Sequence, residues 1–328
     1  MKKMLLLPVL LLLMMSCGEE NSIVEDTNTL YEETTKVVYD TIYRTTTDSA
    51  DNEVTDTIIT ERTETVRNDL KVLIDSLVFQ YVVQGPGSMQ GADCYDKYLF
   101  QFCAGFSYAS CYDMTNGTKQ AIFKFSGAPE GYDYHCNNAD FSNNFYYEDD
   151  EFPLIYVSHP NSGHVTVCRI TRKQKSFTLD VVQTIIFNHL TDPDITIDKD
   201  NDYMYASYYK GGTVHLNKYK MPDYHLSGEV LITPDEILET LDTGYTVNRQ
   251  GSVIKDGYYY LVEGIPSRGT DVFIKIVNLN NGSYTRINLT KTCRFNYEPE
   301  DVFFYKEELY CATNSGMGVY KVYMTFNR

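Results

Sequence analysis

The sequence predicts an all-β domain, a five-bladed β-propeller closed by an N-terminal strand, on three observations. From Leu70 onward, short runs rich in Tyr, Phe and Val alternate with turn signals such as Asp96-Lys97, Asn116-Gly117, Gly211-Gly212, Asp256-Gly257 and Asn281-Gly282. That spacing belongs to many short strands, not to helices. Second, a segment recurs. Gln90-Gly-Ala-Asp-Cys-Tyr-Asp-Lys-Tyr-Leu-Phe100 aligns without gaps with Gln250-Gly-Ser-Val-Ile-Lys-Asp-Gly-Tyr-Tyr-Tyr260, and Glu300-Asp-Val-Phe-Phe-Tyr-Lys-Glu-Glu-Leu-Tyr310 fits the same frame. Third, the last unit reaches Arg328 without a fourth strand, while Leu77-Val-Phe-Gln-Tyr-Val-Val83 precedes the first unit without a partner. Pairing the two closes the ring and covers a free edge.

In chain order, Met1-Lys-Lys is followed by an apolar run from Leu5 to Met15 and then by Ser16-Cys17. A basic start, a short apolar core and a small residue before cysteine predict a lipoprotein signal peptide over residues 1–17. Cys17 is then the lipidated N-terminus of the mature chain and its attachment to a lipid bilayer. The apolar run is well short of the roughly 20 residues that span a membrane. Gly18-Glu19-Glu20 resembles the export tag of Bacteroidetes lipoproteins. That resemblance implies an outer-membrane, lipid-anchored, surface-exposed address.

Residues 18–68 are rich in Thr, Asp and Glu, too poor in large apolar groups to build a core, and read as a stalk. Val38-Tyr-Asp-Thr-Ile42 returns as Val54-Thr-Asp-Thr-Ile58, and its β-branched residues favour extended backbone. A two-stranded ribbon and a disordered tether both fit. Residues 69–328 are the propeller domain. A formal charge of −17 at pH 7 repels phosphate backbones and excludes a nucleic-acid partner.

Beyond Cys17 there are seven cysteines, Cys94, Cys103, Cys111, Cys136, Cys168, Cys293 and Cys311. None forms a Cys-x-x-Cys pair, which argues against a zinc ribbon. Cys103 and Cys111 flank a hairpin loop and are the expected disulfide. The alternative is that most of the seven are small buried hydrophobes.

The two remaining blades open at Asn138-Ala-Asp-Phe141, continued by Phe152–Val157, and at Asp194-Ile-Thr-Ile197, continued by Asp202–Ala206. Val272–Val277 and Val214–Tyr219 read as third strands, and Asp180–Phe187 as a fourth. Thr233-Pro-Asp-Glu236, with Ile237, Leu238 and Leu241, predicts one capped helix between the third and fourth blades.

In this frame Gln90, Asn138, Asp194, Gln250 and Glu300 each open an innermost strand, so their side chains converge on one mouth. His135, Asp140, Asp192 and Glu298 lie within two or three positions of it. Oxygens and one imidazole around a shared axis suit a calcium ion, or a polyol such as a glycan. A self-satisfied channel lining is the competing reading. His135 beside carboxylates is the one catalytic candidate. Gly-x-Ser-x-Gly, His-Glu-x-x-His and phosphate-loop motifs are absent, so the nucleophile and metal-hydrolase templates fail. His159 and His164 bracket Pro160-Asn-Ser-Gly163 and are expected in solvent, as is His215. His189 is a further candidate for the mouth, and Tyr132 and Tyr134 offer rings for stacking.

Gln90-Gly91, His135 with Asn138 and Asp140, Gln250-Gly251 and Glu298-Pro299-Glu300 occur in that order over roughly residues 85–328. This succession resembles the propeller type of teichoic-acid-biosynthesis proteins and phage receptor-binding proteins. The family keeps His and Asn close together, whereas Cys136 and Asn137 intervene here. The resemblance implies a five-bladed disc linked to surface glycopolymers. The expected function is therefore binding of a glycan or glycopolymer. Two alternatives stand beside it: a lyase- or phosphodiesterase-like enzyme using His135 and nearby carboxylates, and a structural subunit with an envelope-protein partner.

Overall fold

The computed structural model describes residues 29–47, 53–83, 87–104, 108–126, 135–174, 176–314 and 318–327. The segment expected to be a signal peptide, with Cys17, and Tyr132 and Tyr134 lie outside the described residues. Five four-stranded antiparallel sheets form the blades. Given from the axis outward, blade 1 is Met89–Tyr95, Tyr98–Cys103, Tyr108–Asp113 and Thr118–Ser126. Blade 2 is Asn138–Phe141, Ile155–His159, His164–Lys173 and Ser176–Phe187. Blade 3 is Asp194–Asp198, Tyr203–Lys210, Thr213–Lys220 and Glu239–Tyr245. Blade 4 is Arg249–Lys255, Tyr258–Glu263, Phe273–Asn278 and Tyr284–Asn288. Blade 5 is Pro299–Tyr305, Glu308–Thr313 and Val319–Asn327, completed by Lys71–Tyr81. That last strand pairs antiparallel with Val319–Asn327, which is the closure the sequence predicts.

Both faces of the inner strands are largely buried, and their polar side chains are buried with the apolar ones. Five apolar clusters occupy the five seams between blades. In the first seam Phe100, Phe141, Phe152 and Phe177 meet with ring centroids 5.4–6.0 Å apart, mostly edge to face. The outer edges are tied as well. Gly228–Ile232 lies parallel to the outer strand of blade 2, and that strand also meets blade 1 at Leu179↔Phe125 and Asp180↔Ser126.

Two expectations are corrected. The helix at Thr233 is a single 3-10 turn, Pro234–Glu236. Its cap is present, with Thr233 N donating to Glu236 Oε2 at 2.7 Å. The chain then extends into Glu239–Tyr245, the fourth strand of blade 3, and buries Leu241 in the seam with blade 4. The need for an edge strand overrides the local helix signal. Among the described residues the α-helix is Leu289–Cys293, capped by the Asn288 side chain. The disulfide is also absent, and all seven described cysteines are free thiols. Cys111 stands opposite Phe100, three positions from Cys103. That puts the two sulfurs on opposite faces and about 10 Å apart along the ladder, beyond disulfide reach.

The segment read as a stalk contains a ribbon. Tyr31–Thr47 pairs antiparallel with Glu53–Asp69, and Ile42 lies opposite Ile58, so the second copy of the sequence echo folds back beside the first. The ribbon leaves the disc and returns to it. Leu70 N donates to Leu30 O at 2.8 Å, and both leucines are buried in the seam between blades 4 and 5. The ribbon is thus an arm, and its length adds no span between residues 30 and 70.

Candidate functional site

The axis itself is filled. In blades 1, 4 and 5 the innermost strand carries one extra residue, between Met89 and Ala92, Arg249 and Ser252, and Pro299 and Asp301. Such a bulge re-aims side chains at a strand end, and it contains Gln90, Gln250 and Glu300. The glycine after each glutamine answers to close approach. A Cβ on Gly91 would lie 2.7 Å from the Asn138 carbonyl carbon, and one on Gly251 would lie 2.1 Å from Asp301 Oδ1. Asp301 takes the glycine's place in blade 5. Its carboxylate lies against Gly251 and accepts from Ala92 N at 2.6 Å and Val302 N at 2.8 Å.

Asn138 is fully buried among these strands. Its Nδ2 donates to Ile195 O at 2.5 Å, and its Oδ1 accepts from Ser252 N at 2.8 Å. One side chain thereby ties blades 2, 3 and 4. Deeper along the axis, Asp93 accepts from Phe141 N at 2.7 Å and Asp140 from Ile197 N at 2.7 Å. Lys199 Nζ stands 2.9 Å from Asp93 and 3.2 Å from Asp140. Each carboxylate reaches the next blade: Asp301 to blade 1, Asp93 to blade 2, Asp140 to blade 3. Asn138 and Asp140 therefore belong to this plug and not to the rim of the mouth. Two residues of strand are enough to carry Asp140 inward.

Above the plug, all five blades contribute polar groups. Blade 1 supplies Gln90, which donates to Ser88 Oγ at 3.2 Å, and Ser88 in turn donates to Asn314 Oδ1 at 3.0 Å. Gln90 and Asn314 both hydrogen-bond the buried Glu300 carboxyl, whose Oε1 is left without a partner. Gln250 Nε2 lies 3.5 Å from Glu298 Oε1. Half-buried His135 acts electrostatically on both Glu298 and Asp194. Asp194 accepts from Asn137 Nδ2 at 2.6 Å and pairs with Arg249 at 2.9 Å, while its Oδ1 is buried and unpartnered. Asp192 is exposed and joins through its backbone, its carbonyl accepting from Arg249 Nη2. Arg249, Asn137, Asn314 and Arg268, whose charge acts on Glu298, are mouth residues that repeat alignment misses. Arg249 directly precedes a Gln-Gly pair, and that adjacency was the available signal.

Burial drives the titration of these groups. It raises Glu300 well above the usual carboxylate range, helped by the neighbouring Glu298 charge. Burial likewise raises Asp301 and Asp140 strongly, and raises Asp194 and Glu298. A carboxyl raised in the folded state binds its proton more tightly there than in the unfolded chain. Its contribution is fully present below the unfolded value, near 4, and is lost as pH rises through the folded value. Asp113 and Asp150, both lowered, act the opposite way, but only below about pH 4. His164, lowered by burial, opposes the loss from the raised carboxyls below its ordinary value near 6.5. Above that value the thermal midpoint should fall as pH rises through the range in which the raised carboxyls ionise, and Glu300→Gln should flatten part of that slope. Calorimetry across this window checks it; a midpoint that climbs with pH contradicts the assignment.

The other histidines do not join the mouth. His159, expected in solvent, is fully buried, with Nε2 3.0 Å from Thr166 Oγ1 and Nδ1 3.8 Å from Cys136 Sγ. Its neighbour His164 is half-buried, and His215 is half-buried with Nε2 2.9 Å from Thr213 Oγ1. His189 packs on Tyr219, with Nε2 3.1 Å from its hydroxyl. The described residues contain no group of three or more His, Cys, Asp or Glu side chains that could hold a metal ion.

No family model and no curated protein sequence matches the chain. Among solved structures, the chain is similar to glutaminyl cyclase from Myxococcus xanthus at 10% identity and a TM-score of 0.47. That match covers 78% of this chain and 97% of the other. It is similar to the PQQ-bound aldose sugar dehydrogenase from Streptomyces coelicolor at 10% identity and a TM-score of 0.46, covering 79% and 98%. The tail fiber of Staphylococcus aureus phage P68 follows at 14% identity and 0.45, covering 78% and 52%. These likenesses are distant, and the five-bladed assignment stands on the sheet topology.

Proposed function

We propose that the chain is a surface-displayed lipoprotein, anchored through Cys17 in the outer membrane, whose propeller mouth binds a hydroxyl-rich ligand, a glycan or glycopolymer. One observation carries this reading. Glu300 Oε1 and Asp194 Oδ1 are buried acceptors without partners, on a rim built by all five blades. An unpaired buried polar group costs about 1–3 kcal/mol. Donated ligand hydroxyls would satisfy both. The filled axis favours capture at the surface over threading. The resemblance to propellers of glycopolymer-related proteins supports the same ligand class.

The test is a thermal-shift titration against a glycan panel. At a ligand concentration of about 100 Kd the wild type gains about 2.7 kcal/mol. A tenfold weaker variant at the same concentration gains only about 1.4 kcal/mol. Replacing Gln90, Gln250 and Glu300 by alanine is expected to weaken binding at least that much. Glu300→Gln alone should fold at least as well as wild type, because it removes the cost of burying a carboxylate. A panel without any shift in the wild type removes the reading.

A further inference from the structure

Strand direction gives the disc two distinct faces, and the N-terminal chain joins only one of them. Every innermost strand starts at the mouth and runs to the opposite face. In blade 4 the register pairs Glu263 with Phe273 at the mouth end and Tyr258 with Asn278 at the far end. The turns at Asp256-Gly257 and Asn280–Gly282 therefore lie on the far face. The arm is clamped there. Tyr31 O accepts from Asn278 Nδ2 at 2.8 Å, Asn281 Nδ2 at 3.1 Å and Ser283 Oγ at 3.2 Å. Tyr258 donates its hydroxyl to Glu32 Oε1 at 2.7 Å. Blade 5 agrees, since Lys71 pairs with Asn327 at the far end and Tyr81 with Val319 at the mouth end. Glu33, Thr34, Thr35, Lys36 and Val37 are all exposed, so solvent meets both faces of the arm over these residues.

We infer that the disc is carried with the face opposite the mouth toward the bilayer. The mouth then meets a glycopolymer arriving from the surrounding medium, not the headgroups of the membrane that holds the anchor. This rests on the anchoring and binding reading above. Residues 18–29 separate Cys17 from Leu30, a leash of at most about 45 Å. Turning the mouth to the bilayer would take the leash up the edge of the disc. For a seven-residue inner strand that climb is about 25 Å, more than half the leash's reach.

The test uses the lipidated full chain in phosphatidylethanolamine–phosphatidylglycerol vesicles carrying an energy-transfer acceptor on the headgroup. A donor dye is placed on Lys306→Cys, an exposed turn on the far face, or on Lys210→Cys, an exposed strand end on the mouth face, and read against the labelling background of the unmutated chain. Transfer from position 306 should be at least twice that from position 210. Equal or reversed efficiencies overturn the inference. Vesicle retention that survives Cys17→Ser overturns it together with the anchoring reading. A failed glycan titration removes the binding reading and leaves the orientation readout intact.

Discussion

Asn138→Ala is expected to lower the thermal midpoint by roughly 10 °C, the largest loss from any single truncation at the axis. The side chain contributes almost no apolar surface; what it supplies is one donor and one acceptor, both used across blade boundaries. Its removal leaves Ile195 O and Ser252 N unpaired in a place water reaches poorly. At about 1–3 kcal/mol for each group, the combined cost is about 4 kcal/mol. Asn138→Asp should cost at least as much, since a carboxylate still accepts from Ser252 N but faces the Ile195 carbonyl with like charge. Denaturant unfolding of both variants checks the pair. A loss under about 1 kcal/mol in the alanine variant would show that the side chain does not staple the blades.

Gly251→Ala is expected to cost about 3–4 kcal/mol for a different reason, lack of space. The added Cβ would meet Asp301 Oδ1 at 2.1 Å and Asp301 Cα at 2.7 Å. The carboxylate cannot swing aside without leaving Ala92 N and Val302 N. Asp301→Ala in the same chain relieves the side-chain clash and not the backbone one. The double variant should therefore be less destabilised than the sum of the singles, by about 1–2 kcal/mol. Strict additivity would mean that the two positions do not touch. Gly211→Ala serves as the contrast: its φ of 62° is left-handed, unlike that of Gly251, but nothing lies within 4 Å of the new methyl group. Its cost should stay near 1 kcal/mol.

Much of the fold is legible because propeller units repeat. The frame anchored at Gln90, Gln250 and Glu300 falls on innermost strands in all three cases, and the lone strand before blade 1 closes blade 5. Reading failed where local chemistry and tertiary demand disagree. The cap at Thr233 is made, yet the chain after it serves as an edge strand. His159 carries a polar ring beside a turn signal, yet its strand faces a seam. For Cys103 and Cys111, adjacency in the chain hides a separation of three positions along the ladder.

The candidate site divides in the same way. The residue types at the strand openings, and the order in which five blades bring them to one end, follow from the sequence by itself. Whether a polar side chain faces the mouth or a neighbouring strand depends on its place along the strand and on local bulges. In blades 1, 4 and 5 the extra residue falls at Gln90, Gln250 and Glu300, which stand at the mouth, while Asp93 and Asp301 farther along such strands join the plug. The strand of blade 2, without it, sends Asn138 and Asp140 into the plug, and that of blade 3 keeps Asp194 at the mouth. Side chains alternate with a period of two, so a one-residue shift decides which way each one points. Only the packed disc decides where that shift occurs: in blades 1 and 4 it falls at Gly91 and Gly251, where neighbouring strands approach closely, and in blade 5 at Glu300, beside Asp301.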